Sequence, residues 1–250
     1  KVKESGSITM GIREASIPLS YLDDKQQPVG YHIEVCNKIV DAVKANLKMP
    51  ALKVQHQPVT SQNRIPLVTN GTVDIECGST TNNEDRKKQV DFVVTTFVTN
   101  VRMAVKTASG ITSLSQLDGK PVATTTGTTS VRLMRAHEKG QKINFREVYG
   151  KDHADSFLLL ETDRAVAFVM DDNLLAGLIV TSKSPNAYAI VGEVLNIEPI
   201  AIMVRKDDPA FKKLTDDTVK GLMKSGELEK LYKKWFMSPI PPKSANLNFA

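Results

Sequence analysis

An alternation of short apolar strands with amphipathic helices, run through once and then begun again, limits the folds open to this chain more than any other feature. Residues 8–12 (Ile-Thr-Met-Gly-Ile) read as a strand, followed by a loop with Arg13, Pro18 and Tyr21 that ends in the turn at 23–28. Ile33, Cys36, Ile39, Val40 and Val43 then recur at three- and four-residue steps, one face of a helix that runs to about Leu47 and stops before Pro50. A second strand follows at 52–59. A short helix at 61–71 comes next, with Ser61 placed to cap it, and then a buried strand at 72–77. Strand, helix, strand, helix, strand is the order that builds an open parallel sheet with helices on its faces.

After Arg102-Met103-Ala104-Val105-Lys106 the order repeats: a turn at 117–120, a strand at 122–125, the loop Gly127-Thr128-Thr129-Ser130, and a helix at 131–138. A strand at 145–148, a helix at 155–161 and a strand at 165–170 ending in Asp171-Asp172 complete it. The two halves share a plan without being a tandem repeat. Met203-Val204-Arg205-Lys206 echoes Met103 to Lys106, as two extended strands joining a pair of lobes would. Residues 209–236 read as helical, with Leu214, Val219, Leu222, Leu228, Leu231 and Trp235 facing inward, and Pro239, Pro241 and Pro242 stop them. The expected organisation is a two-lobed α/β protein, each lobe an open, mostly parallel sheet flanked by helices. Residues 1–105 plus 204–250 form one lobe and 106–203 the other, with crossings near 98–105 and 197–204.

A composition of 41% hydrophobic and 24% charged residues excludes a disordered chain, and no apolar run approaches the roughly 18 to 20 residues of a membrane span. The net charge of +5 is dispersed along the chain, which helps to draw in anions. Nucleic-acid binding is disfavoured: basic residues form no block, and aromatic residues, 6% of the chain, form no stacking cluster. Residues 1–5 lack the apolar core and cleavage site of a leader, so an export signal is expected to have been removed. Two cysteines, Cys36 and Cys77, and four dispersed histidines make no structural metal site. The cysteines read either as one disulfide or as two small buried thiols; export would favour the bridge, and Cys36 near a helix start can meet Cys77 at a strand end.

In open α/β sheets ligands collect beyond the carboxyl ends of strands. The polar residues there are Arg13; Ser61 and Arg64; Ser79, Thr80, Thr81 and Arg86; Thr128, Thr129 and Ser130; His153; and Asp171. Three arginines, several hydroxyls and a carboxylate suit a small anion that also carries an ammonium, because a guanidinium fork grips a carboxylate through two charge-assisted bonds. Each also has a plainer role: the arginines as solvated or ion-paired surface groups, Thr128 to Ser130 as a helix cap, Asp171 or Asp172 as the cap of the helix beginning near Asn173, and His153 as a satisfied structural side chain. The arginines reinforce one another, since burying three together without an anion is costly. There is no GxSxG, HExxH, P-loop or GxGxxG signature, and nothing reads as a nucleophile with its base.

These residues stand in strings that resemble a known family. Arg13 through Tyr31, Thr60-Ser-Gln-Asn-Arg-Ile-Pro-Leu, Glu76-Cys-Gly-Ser-Thr-Thr-Asn-Asn, Arg86, Gly127-Thr-Thr-Ser, Lys151-Asp-His, Ala165-Val-Ala-Phe-Val-Met-Asp-Asp and Lys233-Lys-Trp-Phe resemble the polar amino-acid binding proteins of ABC importers, specifically the periplasmic glutamate/aspartate-binding branch. The resemblance spans nearly the whole chain. It implies a hinged, type II "flytrap" receptor in the periplasm, monomeric and without cofactor or metal, that captures L-glutamate or L-aspartate and presents it to a membrane permease. It further implies that Arg86, Ser79 and Thr81 hold the α-carboxylate and Asp171 the α-ammonium, while Arg13, Arg64, Ser61, Thr129 and His153 surround the side-chain carboxylate. Ala154, Thr126 and Asn196-Ile-Glu-Pro-Ile depart from the branch's usual pattern. Competing readings are a periplasmic dehydratase or lyase on the same scaffold, with His153 as its one candidate acid or base, an excised core of a glutamate-gated channel, and a sensory domain binding the same ligand.

Overall fold

A computed structural model describes residues 1–249, which divide into two compact units. The first comprises Lys1–Val59, Asn63–Phe97 and Pro199–Ala250, the second Thr60–Gln62 and Val98–Glu198.

The first unit is built on a five-stranded sheet in the order Lys53–Pro58, Ser7–Ile12, Ile75–Glu76, Met203–Arg205, Val90–Phe92. Ser7–Ile12 is parallel to both its neighbours, and Met203–Arg205 runs against the strands on either side of it. The 3.6-residue periodicity places Ile33, Cys36, Ile39, Val40 and Val43 on the buried face of the helix Tyr31–Leu47. The segment read as one helix at 209–236 is two, Pro209–Ser225 and Glu227–Phe236, because Gly226 takes a left-handed φ of +81° between them. Phe236 stacks on Phe97 with ring centroids 4.7 Å apart, and Trp235 meets Tyr21 edge-on at 6.1 Å, which ties the C-terminal helices to this unit. A disulfide joins Cys36 of the Tyr31–Leu47 helix to Cys77, the residue after the Ile75–Glu76 strand, with their Cα atoms 6.4 Å apart.

The second unit has its own five-stranded sheet, in the order Arg146–Gly150, Pro121–Thr125, Ala167–Asp171, Phe97–Lys106, Tyr188–Ile200. Its first three strands are parallel, and Val101–Ala104 pair antiparallel with Phe168–Asp171. Val101, Met103, Leu117, Val122, Met134 and Val169 pack its core.

Three sequence expectations are corrected. Residues 98–105 belong to the second unit, because they pair with the Ala167–Asp171 strand; residues 199–203 belong to the first, where Met203 pairs with Glu76 and Phe92. Apart from residues 60–62, the chain therefore passes between units at 97/98 and 198/199, each time inside a strand. The short helix read from Ser61 begins later: it is Arg64–Thr69, its N-cap position is Asn63, and residues 60–62 group with the second unit.

Candidate functional site

In the first unit the polar residues gather where the Ser7–Ile12 and Ile75–Glu76 strands end. Arg13 is fully buried; its backbone N–H donates to Ser20 Oγ at 2.9 Å and its Nη1 to Ser79 Oγ at 3.4 Å. Ser79 Oγ is also hydrogen-bonded to Ser16 Oγ at 2.8 Å. Arg64, the first residue of its helix and buried, donates from Nη1 to Thr80 Oγ1 at 3.0 Å. Thr80 in turn donates to Glu76 Oε2 at 2.9 Å. Thr80 thus accepts from a guanidinium and donates to a carboxylate, which fixes its one proton and orients Arg64. Arg86, half-buried in the short helix Glu84–Lys87, donates from Nη1 to the Thr81 carbonyl at 2.8 Å. Arg13, Arg64, Ser79, Thr81 and Arg86 are therefore assembled within one unit.

Two groups beneath this cluster were not anticipated. Glu76 is completely buried in the apolar run Ile75-Glu76-Cys77. Burial pushes its carboxyl up from the ordinary value, while the Arg64 charge, the Thr80 hydrogen bond and the charges of Arg13 and Arg86 pull it down. Gly78 is required beside it, because a Cβ there would collide with the Glu76 carboxylate and the Arg13 side chain. His32, also buried, is 2.6 Å from the Gly78 carbonyl through Nδ1 and 2.7 Å from Thr96 Oγ1 through Nε2. A carbonyl can only accept, so Nδ1 carries the proton and Thr96 donates to Nε2. A charged side chain inside a strand's apolar run is the sequence signal that could have found Glu76.

The second unit holds Ser61, Thr129, His153 and Asp171, all buried. Thr129 opens the helix Thr129–Gln141 and His153 the helix His153–Glu161. Asp171 ends its strand at the N-cap position of Asp172–Val180, yet its side chain makes no capping bond. Asp172 is instead engaged by the Thr99 hydroxyl at 2.9 Å and by Asn100. Behind His153 runs a chain of hydroxyls: Nδ1 to Thr125 Oγ1 at 2.9 Å, Thr125 to Ser156 Oγ at 2.7 Å, and Ser156 donating to the Thr124 carbonyl at 3.1 Å. Because Ser156 spends its proton on a carbonyl, Thr125 must donate to Ser156, and Nδ1–H donates to Thr125. Glu198 is a further buried carboxylate that the sequence reading passed over; it accepts the Thr129 hydroxyl.

Two α/β units, each with buried polar groups collected at strand ends, define a class of protein built to hold a small charged solute. The chain belongs to the bacterial extracellular solute-binding proteins, family 3, whose model matches residues 8–238. It is 50% identical over 250 residues to the L-glutamate/L-aspartate-binding protein of Pseudomonas aeruginosa, covering all of this chain and 83% of the relative. It is also 50% identical over 249 residues to the glutamate/aspartate import solute-binding protein of Escherichia coli, covering all of this chain and 82% of that one. Among solved structures, an ABC uptake transporter substrate-binding protein from Streptococcus pneumoniae with bound histidine superposes with a TM-score of 0.84 at 19% identity, over 98% of this chain and 96% of that chain, a likeness of fold. An ancestral arginine-binding protein bound to glutamine gives a TM-score of 0.80 at 28% identity, over 92% and 98%. The fold is accordingly that of the type II binding proteins, and the chain is a solute-binding protein, not an enzyme.

Proposed function

We propose that this protein captures L-glutamate or L-aspartate in the periplasm by closing its two units about the crossings at 97/98 and 198/199, and delivers the ligand to the membrane permease of an ABC importer. The observation that carries this reading is the burial of Arg13 and Arg64 in one cluster with Arg86 at its edge. Guanidiniums grouped at the strand ends offer forked, charge-assisted donors, which suit carboxylates better than neutral acceptors. The three arginines complement two ligand carboxylates, and Asp171, on the other unit, complements the ammonium. Arg86 with Ser79 and Thr81 takes the α-carboxylate; Arg13 and Arg64 take the side-chain carboxylate, with Ser61, Thr129 and His153 completing the enclosure. A neutral side-chain amide would offer Arg13 and Arg64 an uncharged and therefore weaker acceptor. The names of the relatives from Pseudomonas aeruginosa and Escherichia coli support the choice of ligand, and the second supports import.

Calorimetric titration with glutamate, aspartate, glutamine and asparagine tests the reading. The acidic pair is expected to bind with Kd in the micromolar range or tighter, about −8 kcal/mol or better, and the amides far more weakly. Equal affinity for glutamate and glutamine would overturn it.

A further inference from the structure

Thr80 lies between Ser79 and Thr81, the two hydroxyl residues assigned to the ligand, and has no place in that assignment itself. It is completely buried, and its carbonyl accepts the Ala201 N–H at 3.1 Å, which holds the main chain there. Its side chain stands between two charged groups: Oγ1 accepts from Arg64 Nη1 at 3.0 Å and donates to Glu76 Oε2 at 2.9 Å. A threonine hydroxyl has one proton to give. Because Glu76 takes it, a lone pair of Thr80 Oγ1 is turned toward the guanidinium. Glu76 is itself held in place: its backbone pairs with Gly11 on one side and Met203 on the other, and a Cβ at position 78 would strike its Oε1. That Oε1 has no hydrogen-bond partner among the described residues. A buried carboxylate with one oxygen unbonded is a costly group to keep for stability alone.

We infer that Thr80 and Glu76 are specificity-positioning residues: the hydrogen-bonded chain Glu76–Thr80–Arg64 holds the Arg64 guanidinium where it reads the ligand's side-chain carboxylate. The inference rests on the acidic amino-acid reading above and deepens it by naming what aims the arginine. An arginine side chain is long, and its rotamer freedom is lost when it grips a ligand. Arg64 has given up much of that freedom beforehand, because its Nη1 is anchored at Thr80 Oγ1 and lies 3.5 Å from the Ser79 carbonyl. A donor fixed in advance binds its acceptor more tightly than one that must first be ordered. The gain is larger for a charged acceptor than for a neutral one. Fixing Arg64 therefore favours a side-chain carboxylate over a side-chain amide. The α-carboxylate and the ammonium, assigned to Arg86, Ser79, Thr81 and Asp171, do not depend on it.

The test reads the ratio of the L-glutamine Kd to the L-glutamate Kd, glutamate by calorimetry and glutamine by competition against it. The proteins are the wild type, T80V, T80S, E76D and the E76D/T80V double variant, each checked for folding by circular dichroism. Valine keeps the shape of threonine without its hydroxyl, and aspartate keeps the charge of Glu76 but is one methylene too short to reach Thr80. T80V and E76D are each expected to weaken glutamate about tenfold, the worth of one hydrogen bond to a charged group, and to leave glutamine nearly unchanged, so that the ratio falls. T80S is expected to keep the wild-type ratio, and the double variant to fall no further than T80V alone, because Glu76 acts through Thr80. An unchanged ratio in T80V or in a folded E76D, a loss shared equally by both ligands, or a further fall in the double variant would overturn the inference. If E76D does not fold, the contrast between T80V and T80S decides. A glutamate-selective wild type whose ratio these variants do not move defeats this inference alone, whereas a wild type that binds glutamate and glutamine equally defeats the proposed function and this inference with it.

Discussion

Acid should destabilise this protein through His32. The side chain is completely buried, and burial lowers its pKa from 6.5 to about 4, only partly opposed by the hydrogen bond to the Gly78 carbonyl. The folded state therefore holds His32 neutral where the unfolded chain would protonate it. The stability this contributes is fully present above pH 6.5 and is lost as pH falls toward about 4. A drop of 2.5 units, from 6.5 to about 4, is worth about 3 kcal/mol at 1.36 kcal/mol per unit. His32→Asn retains an N–H donor for Gly78 and cannot titrate in this range. Urea unfolding of both proteins at steps of pH isolates the effect, because every other carboxylate and histidine contributes to both curves. The stability gap between wild type and variant should change by about 3 kcal/mol in the variant's favour from neutral pH to pH 4. A gap that stays constant across this range would refute the buried, neutral state of His32. The consequence is functional as well as structural, since Gly78 leads directly into Ser79 and Thr80, which hold Arg13 and Arg64.

Three further outcomes follow from the same geometry. Asp171→Asn should weaken glutamate binding by about 1.5–3 kcal/mol, the worth of a hydrogen bond to a charged group, while leaving the unfolding midpoint nearly unchanged; undiminished affinity by calorimetry would remove Asp171 from the site. Replacing both Cys36 and Cys77 with serine opens a bridge between residues 41 apart, which should cost about 4 kcal/mol of stability in urea unfolding; an unchanged midpoint would show that the bridge does not constrain the unfolded chain. His153 is held in place by Thr125 and is proposed to help enclose the ligand, so His153→Ala should weaken glutamate binding by about 1.5–3 kcal/mol; undiminished affinity by calorimetry would remove it from the site.

Much of the architecture is legible in the sequence because it is written in local periodicity. The three- and four-residue steps from Ile33 to Val43 mark a helix face, and Arg13, Ser79 and Asp171 lie at or just past strand ends, where the order of elements places them. Strand partnership is not local, and there the reading shifts: nothing between 98 and 105 announces that Val101–Ala104 pair with Phe168–Asp171, so the crossing was set several residues too late. The break at Gly226 was missed because the apolar steps continue across it from Leu222 to Leu228. Glu76 and Glu198 were overlooked for a different reason. A lone carboxylate belongs to no repeat; the apolar run around Glu76 marks it as unusual, but the roles of both residues become visible only when Thr80 and Thr129 are seen donating to them. The cysteines left two readings open, which the 6.4 Å Cα separation of a helix residue and a strand-end residue resolves as a bridge.

The most direct test of capture by closure is small-angle X-ray scattering with and without saturating glutamate, with binding verified by calorimetry on the same sample. Because the proposed ligand contacts divide between the two units, only a conformation that brings both sets to one molecule gains all of them, and the ligand must shift the population toward it. A smaller radius of gyration in the presence of glutamate is the result expected. An unchanged radius with the ligand bound would contradict capture by closure.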